Sequence, residues 1–462
     1  MNAGRIGART IDVQTFIDEQ RFSFFHCVLF VLCFLIVGFD GFDTGAMGFI
    51  APTLVDDWRV SRESLGPVLS ATLVGVGVGA LLVSPLADRV GRKAVLVCSV
   101  FFFGMLSCAS TLANSMETLT ALRFFTGLGL GAAVPNTVTL MSEYVPARIR
   151  GFVVNAMFMG FAAGIAAGGM LSAWIIPIFG WRSVLLVGGV LPLLLGCVLL
   201  FALPESVKFM VSTGRPRELV AQILRRLAPR AELGDCVFIC EARSPAQLKR
   251  PSPVAQVLSK DYLLGTTMLW LSYFMCLTVF YLLTNWLPTL FKASGFSLRE
   301  SAVTSSLFHV GGCAGILLAG WLMDRFSEIR VVAFFYVLTA LIVFLIGCNV
   351  AHDASLTALI VVTGTALSGA AASMAPLAAQ YYPTTSRVTG VAWMLAVGRI
   401  GAVVGAFGGA ILMGLSWAFA SIFSLLAIPA LIAALALVVL GRRARVIGRD
   451  VDAVAPAAVS SH

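Results

Sequence analysis

Residues 84–92 read SPLADRVGR and residues 319–327 read AGWLMDRFS. Each follows a long apolar run, and each turns polar at Leu-x-Asp-Arg, with Asp88 and Arg89 in the first copy and Asp324 and Arg325 in the second. A second match lies downstream. EYVPARIRG at 143–151 and QYYPTTSRVTG at 380–390 share Pro-x-x-x-Arg, at Pro146 with Arg150 and at Pro383 with Arg387. The separations, 324 minus 88 and 383 minus 146, agree to within one residue. Two motifs in register imply a chain whose two halves are copies of one unit.

Composition says what surrounds those halves. With 59% hydrophobic and 12% charged residues and a mean hydropathy of +0.93, the chain is too apolar for a soluble globular protein of 462 residues. Allowing roughly 20 residues per membrane crossing, apolar segments fall near 24–49, 66–86, 94–112, 118–141, 151–174 and 184–203, then near 263–291, 301–322, 331–349, 356–380, 390–414 and 417–440. The expected fold is therefore an all-α membrane protein of twelve transmembrane helices in two six-helix halves. Its organisation is 1–203 for the N-terminal half, 204–262 for a polar linker, 263–441 for the C-terminal half and 442–462 for a tail. The first 21 residues carry Arg5, Arg9, Asp12, Asp18, Glu19 and Arg21 before any apolar run, so no cleavable signal is read there.

Lys and Arg set the expected orientation. Of the 32, 25 fall on the linker's side, while Arg59, Arg62, Arg182, Lys292 and Arg299 fall opposite. Both termini are expected in the cytoplasm, with the chain in the inner (plasma) membrane. This asymmetry accounts for the net charge of +9 without nucleic acid as a partner. The glycine-rich runs at 75–80 and 127–133 lie inside spans and lack the preceding strand of a dinucleotide site. Most cysteines also lie in spans, and the four histidines are scattered. No cofactor, no metal and no enzymatic chemistry are expected.

Two carboxylates break the apolar pattern of the first span. Asp40 and Asp43, at i and i+3, share one helix face, and an unpaired charge at bilayer depth costs several kcal/mol, so that face must meet a cavity or a partner. Close carboxylates repel and burial favours the neutral form, so such a pair can load and release a proton. The bland alternative is a static ion pair, with Arg123 as partner. Arg123 and Arg399 are the only cations deep in predicted spans.

The segment PLADRVGRK at 85–93 resembles the signature loop of the major facilitator superfamily. More narrowly, GFDGFDTGAMGFIAPTL at 38–54, LRFFTGLGLGAAVPNTVTLMSEYVPARIRG at 122–151 and LPESVKFM at 203–210 resemble the aromatic acid:proton symporter family, over nearly the whole chain. The resemblance implies import of a small aromatic carboxylate such as 4-hydroxybenzoate, protocatechuate or benzoate with protons, by alternating access. Transport of another organic anion, or export, is the alternative. It also implies that the Asp-x-x-Asp motif of Asp40 and Asp43 couples proton entry to substrate movement.

A carboxylate substrate calls for a guanidinium, which recognises it bidentately. Arg399 is assigned to the substrate and Arg123 to the acidic pair, although the two roles could be exchanged. For the ring, Tyr281, Asn285 and Trp286 in the seventh span, Trp393 in the eleventh and His309 in the eighth supply stacking and polar groups, or else ordinary packing. At the linker face, Asp88, Arg89, Gly91 and Arg92, with Glu143, Asp324 and Arg325, form a candidate gate that pairs when that face closes. Ser84 stands where the superfamily usually has glycine, and Gly320 keeps the glycine in the second copy. Nothing in the sequence requires a subunit interface, so a monomer is expected.

Overall fold

The computed structural model describes residues 9–228, 233, 236–239, 252–348, 354–383, 385–415 and 417–454. The main helices are α1 (Val13–Asp18), α2 (Phe24–Trp58), α3 (Leu65–Leu82), α4 (Ala87–Val90), α5 (Arg92–Ala109), α6 (Met116–Tyr144), α7 (Ala147–Phe179), α8 (Arg182–Ala202), α9 (Val207–Ser212) and α10 (Arg217–Leu227). They continue with α11 (Pro253–Val257), α12 (Leu263–Ala293), α13 (Leu298–Met323), α14 (Glu328–Cys348), α15 (Ala354–Tyr381), α16 (Arg387–Gly414) and α17 (Phe419–Val454). Among the described residues, twelve helices are long and apolar enough to cross a membrane. Helices satisfy every backbone polar group internally, which hydrocarbon demands.

Several run well past the segments read from the sequence. The first extends to Trp58, through Pro52, and α7 reaches Phe179, through Pro177. The added residues, IAPTLVDDW at 50–58 and IIPIF at 175–179, are largely apolar, and each stretch continues the helix through a proline.

By contacts the chain divides into two compact units. The first comprises Met1–Thr44, Val74–Ile165 and Arg182–Lys249. Within it α5 packs on α6 and α8. At Gly164 of α7 an added Cβ would lie 1.9 Å from the carbonyl oxygen of Gly38 in α2, so these two backbones touch and glycine is required.

The linker and the N-terminal segment, which hydropathy treats as mere polar stretches, are partly folded onto this unit. In α10, Val220, Ala221, Leu224 and Leu227 share one helical face and are buried, while Arg217, Arg225 and Arg226 are exposed. They join Val13, Ile17, Leu233 and Phe238 in one apolar cluster with the spans. Strands β1 (Arg9–Asp12) and β2 (Cys236–Ile239) pair in parallel, from Arg9 with Cys236 to Asp12 with Ile239. The Asp18 carboxylate then accepts from the Ala147 backbone N–H at 2.9 Å and pairs with Arg150 at 3.3 Å.

The second unit comprises Gly45–Leu73, Ala166–Trp181 and Arg250–His462. In it α12 packs on α16 and α17, α13 on α15, and α14 on α15 and α17. The far ends of α2, α3 and α7 also belong to it. Lys292 pairs with Asp56, the Trp181 indole donates to Asp57 at 3.0 Å, and the Arg299 guanidinium lies 3.7 Å from the centre of the Trp174 ring. Gly320 faces open space rather than a neighbouring backbone, so its absent side chain permits no close helix crossing there.

Candidate functional site

In the first unit, α2 and α6 bring the Asp43 carboxylate against Arg123, with residues 1% and 0% exposed respectively. Arg123 donates from Nη1 to Asp43 Oδ1 at 2.9 Å and from Nη2 to Ser110 Oγ at 2.7 Å, while Ser107 donates to the same Asp43 oxygen at 3.1 Å. Ser107 closes α5 and Ser110 opens the short 3-10 turn after it, so one helix end supplies both hydroxyls. Neither serine stands out in the sequence, because a lone hydroxyl in a span carries no charge signal.

The pair is incompletely satisfied. Asp43 Oδ2 and Arg123 Nε are buried without hydrogen-bond partners. A carboxylate taken out of water is stabilised by its partner only while the geometry holds. Here one carboxylate oxygen carries the ion pair and the other has no partner. Asp40, 8% exposed, lies one turn earlier on the same helix.

The remaining intramembrane cation is placed differently. Arg399, half-buried in α16, has no acidic partner or hydrogen bond among the described residues, and the Tyr273 ring of α12 packs where a side chain on Gly398 would stand. Tyr273 is an aromatic neighbour that the sequence reading passed over, eight residues before Tyr281 on α12.

The other residues expected around a ring all lie in this second unit. Trp286 is 1% exposed and its indole donates to the Ala406 carbonyl at 2.7 Å, so its polar handle is committed to tying α12 to α16. The Asn285 amide donates to the Tyr281 carbonyl one turn back, at 2.8 Å. Gly48 of α2 sits against this turn, where a Cβ would approach the Thr284 oxygen to 2.7 Å. His309 is buried between Phe280 and Phe308, at ring separations of 5.9 and 4.9 Å, with Nδ1 unpartnered. Trp393 is 39% exposed and stacks on Trp270 at 5.7 Å.

At the linker face of the first unit, three of the residues expected to form a gate, Asp88, Arg92 and Glu143, are in contact. Arg92 reaches Glu143 at 3.0 Å and Asp88 at 2.9 Å. Glu143 also accepts from Ser206 Oγ. Glu205, from the segment LPESVKFM, was not singled out, yet one of its oxygens accepts from the Arg92 and Lys93 backbone N–H groups at 2.8 and 3.1 Å. Gly91 allows this approach, since its φ is +107° and a Cβ would lie 2.4 Å from the Glu205 carboxylate. Arg89 is exposed and outside this network.

The second copy keeps one of these contacts and changes its charges. Glu328 accepts from Gln380 at the positions that match Arg92 and Glu143, and exposed Arg325 stacks over Trp321 at 4.1 Å, with Asp324 exposed beside it. Tyr382 donates to Thr266 Oγ1 at 3.0 Å, and burial pushes its phenol up, keeping it a neutral donor. Among the described residues no cluster of three or more His, Cys, Asp or Glu could hold a metal ion.

Among the described residues, twelve helices long and apolar enough to span a membrane, a duplicated loop motif and a buried acid–arginine pair describe a multi-pass membrane protein. The chain belongs to the major facilitator superfamily, whose model matches residues 33–347 and again 269–459, and within it groups with the aromatic-acid transporters. It is 47% identical to the 4-hydroxybenzoate transporter PcaK of Pseudomonas aeruginosa, over 93% of this chain and 96% of that protein. It is 43% identical to a gallate transporter of Pseudomonas putida, over 93% and 95%. The fold is shared with the inward-open xylose transporter XylE from E. coli, at a TM-score of 0.71 and 17% identity, over 89% of this chain and 95% of that one.

Proposed function

We propose that this protein is a proton-coupled symporter that imports a small aromatic monocarboxylate, of the 4-hydroxybenzoate, protocatechuate or benzoate type, by alternating access. It works as a monomer in the inner (plasma) membrane with both termini in the cytoplasm. The observation that carries this reading is the contrast between two intramembrane arginines. Arg123 is neutralised by Asp43, whereas Arg399 has no acidic partner among the described residues.

A lone guanidinium in a low-dielectric setting attracts an anion that can satisfy it bidentately, and a planar aromatic acid brings a ring that stacks as well. The names of the relatives point to the same chemical class. In this reading Arg399 binds the carboxylate, with Tyr281, Asn285, Trp286, His309 and Trp393 shaping the surroundings of the ring. Asp40 and Asp43 carry the proton with Arg123 as the switch partner. Arg92, Glu143, Asp88 and Gly91 hold the linker face of the first unit when closed, and the exposed Arg89, Asp324 and Arg325 are further gate charges outside that network.

The test is uptake of labelled 4-hydroxybenzoate into cells making the protein, with and without a protonophore, against a panel of unlabelled aromatic acids. Accumulation that the protonophore abolishes supports symport, and the competitors rank the substrates. Absence of uptake, with no displacement by any acid of the panel, overturns the assignment.

A further inference from the structure

The first unit carries a cavity of about 500 Å³ that the transport reading does not use. It lies where α2 begins and α8 ends. Phe24, Val28 and Leu29 line it from α2, Pro204 from just beyond α8, and Arg226 from α10. Its volume is within the roughly 300–1,000 Å³ of small-ligand pockets.

Two properties of the lining decide what fits. Arg226 is the one charge on it, is exposed, and makes no ion pair or hydrogen bond with any described residue. The rest is apolar apart from Ser23, whose hydroxyl and backbone N–H are already engaged by His26 at 2.9 and 3.0 Å. The site therefore asks for a single anionic group joined to hydrocarbon.

The position narrows this further. Phe24, on the lining, is 83% exposed, and Phe201, one residue before the lining Ala202, is 86% exposed. Apolar rings this bare on spanning helices face lipid rather than water, and their place at the ends of α2 and α8 sets them near the edge of the hydrocarbon core. We propose that this cavity is a binding site for an anionic phospholipid of the linker-side leaflet, with the phosphate on Arg226 and an acyl chain along Val28 and Leu29. Basic pockets beside spanning helices hold acidic headgroups in this way, and each such charge strengthens binding roughly five-fold. The lipid then joins α10 of the linker to α2 and α8.

The full-length protein is labelled with phosphatidylglycerol carrying a diazirine in one acyl chain, and cross-linked peptides are mapped by mass spectrometry. Retained phosphatidylglycerol is counted in parallel by native mass spectrometry. The proposal expects label on residues 23–29 and around 202–204, displaced by unlabelled phosphatidylglycerol and not by phosphatidylcholine. Arg226→Gln lowers retained phosphatidylglycerol about five-fold, Arg226→Lys keeps it, and Arg217→Gln, on the same helix but off the lining, leaves it unchanged. Equal displacement by phosphatidylcholine, displacement by 4-hydroxybenzoate, or undiminished retention in Arg226→Gln overturns it. The competition arm uses the unaltered protein, so it decides the matter even if Arg226→Gln does not fold.

Discussion

Replacing Arg123 by glutamine leaves the Asp43 carboxylate, 1% exposed, with the Ser107 hydroxyl at 3.1 Å as its remaining hydrogen-bond donor. Replacing Asp43 by asparagine strands a guanidinium that is 0% exposed, with Ser110 at 2.7 Å. Removing one member of a buried ion pair costs roughly 3–5 kcal/mol, because the survivor's charge is left uncompensated. The double variant carries two neutral amides of similar size, which can hydrogen-bond to each other. It should lose only about 1–3 kcal/mol, the loss of well-placed hydrogen bonds rather than of solvation for a charge. The two single losses together should therefore exceed the double loss by several kcal/mol. Ser107→Ala, which removes one neutral donor, should cost about 1 kcal/mol. Unfolding free energies of the four proteins, measured by steric trapping in bicelles, close the cycle. Additivity to within about 0.5 kcal/mol would mean that Asp43 and Arg123 do not interact, and would refute the reasoning.

Three further outcomes follow from the same geometry. Arg399→Gln should weaken 4-hydroxybenzoate binding roughly 10- to 150-fold, the value of a charge-assisted hydrogen bond, and unchanged affinity by calorimetry would remove Arg399 from the site. Gly164→Val must push α7 from α2, since a Cβ alone meets the Gly38 oxygen at 1.9 Å; a loss of about 1–3 kcal/mol or more is expected, and wild-type thermal stability would contradict the contact. Glu143→Ala removes the acceptor shared by Arg92 and Ser206, so hydrogen exchange should quicken at 88–93 and 205–212; unaltered protection would show that the network holds nothing.

What could be read in advance follows from how strongly each feature is signalled. A span announces itself by some twenty apolar residues, and the duplicated Asp-Arg and Pro-x-x-x-Arg loops fix the repeat, so the twelve helices were legible. Asp43 and Arg123 were legible for the same reason, as charges where hydrocarbon permits few. Ser107, Ser110 and Tyr273 were not, because a hydroxyl or a ring in a span is ordinary until its neighbour is known. Glu205 sat in a quoted motif, yet only the φ of Gly91 reveals that its carboxylate reaches the backbone of Arg92. The linker's folded parts were hidden by averaging. The basic face of α10 dominates its composition, while its four buried apolar residues emerge only at helical spacing. Likewise Trp286, singled out for stacking, has its indole N–H committed to Ala406, a fact of packing that no spacing encodes.

Coupling of protons at Asp43 to an anion held by Arg399 is tested in proteoliposomes, by comparing accumulation of labelled 4-hydroxybenzoate under an inward proton gradient with its exchange against internal unlabelled acid. The unaltered protein should do both, whereas Asp43→Asn should keep exchange and lose gradient-driven accumulation. Gradient-driven accumulation that survives in Asp43→Asn would contradict it.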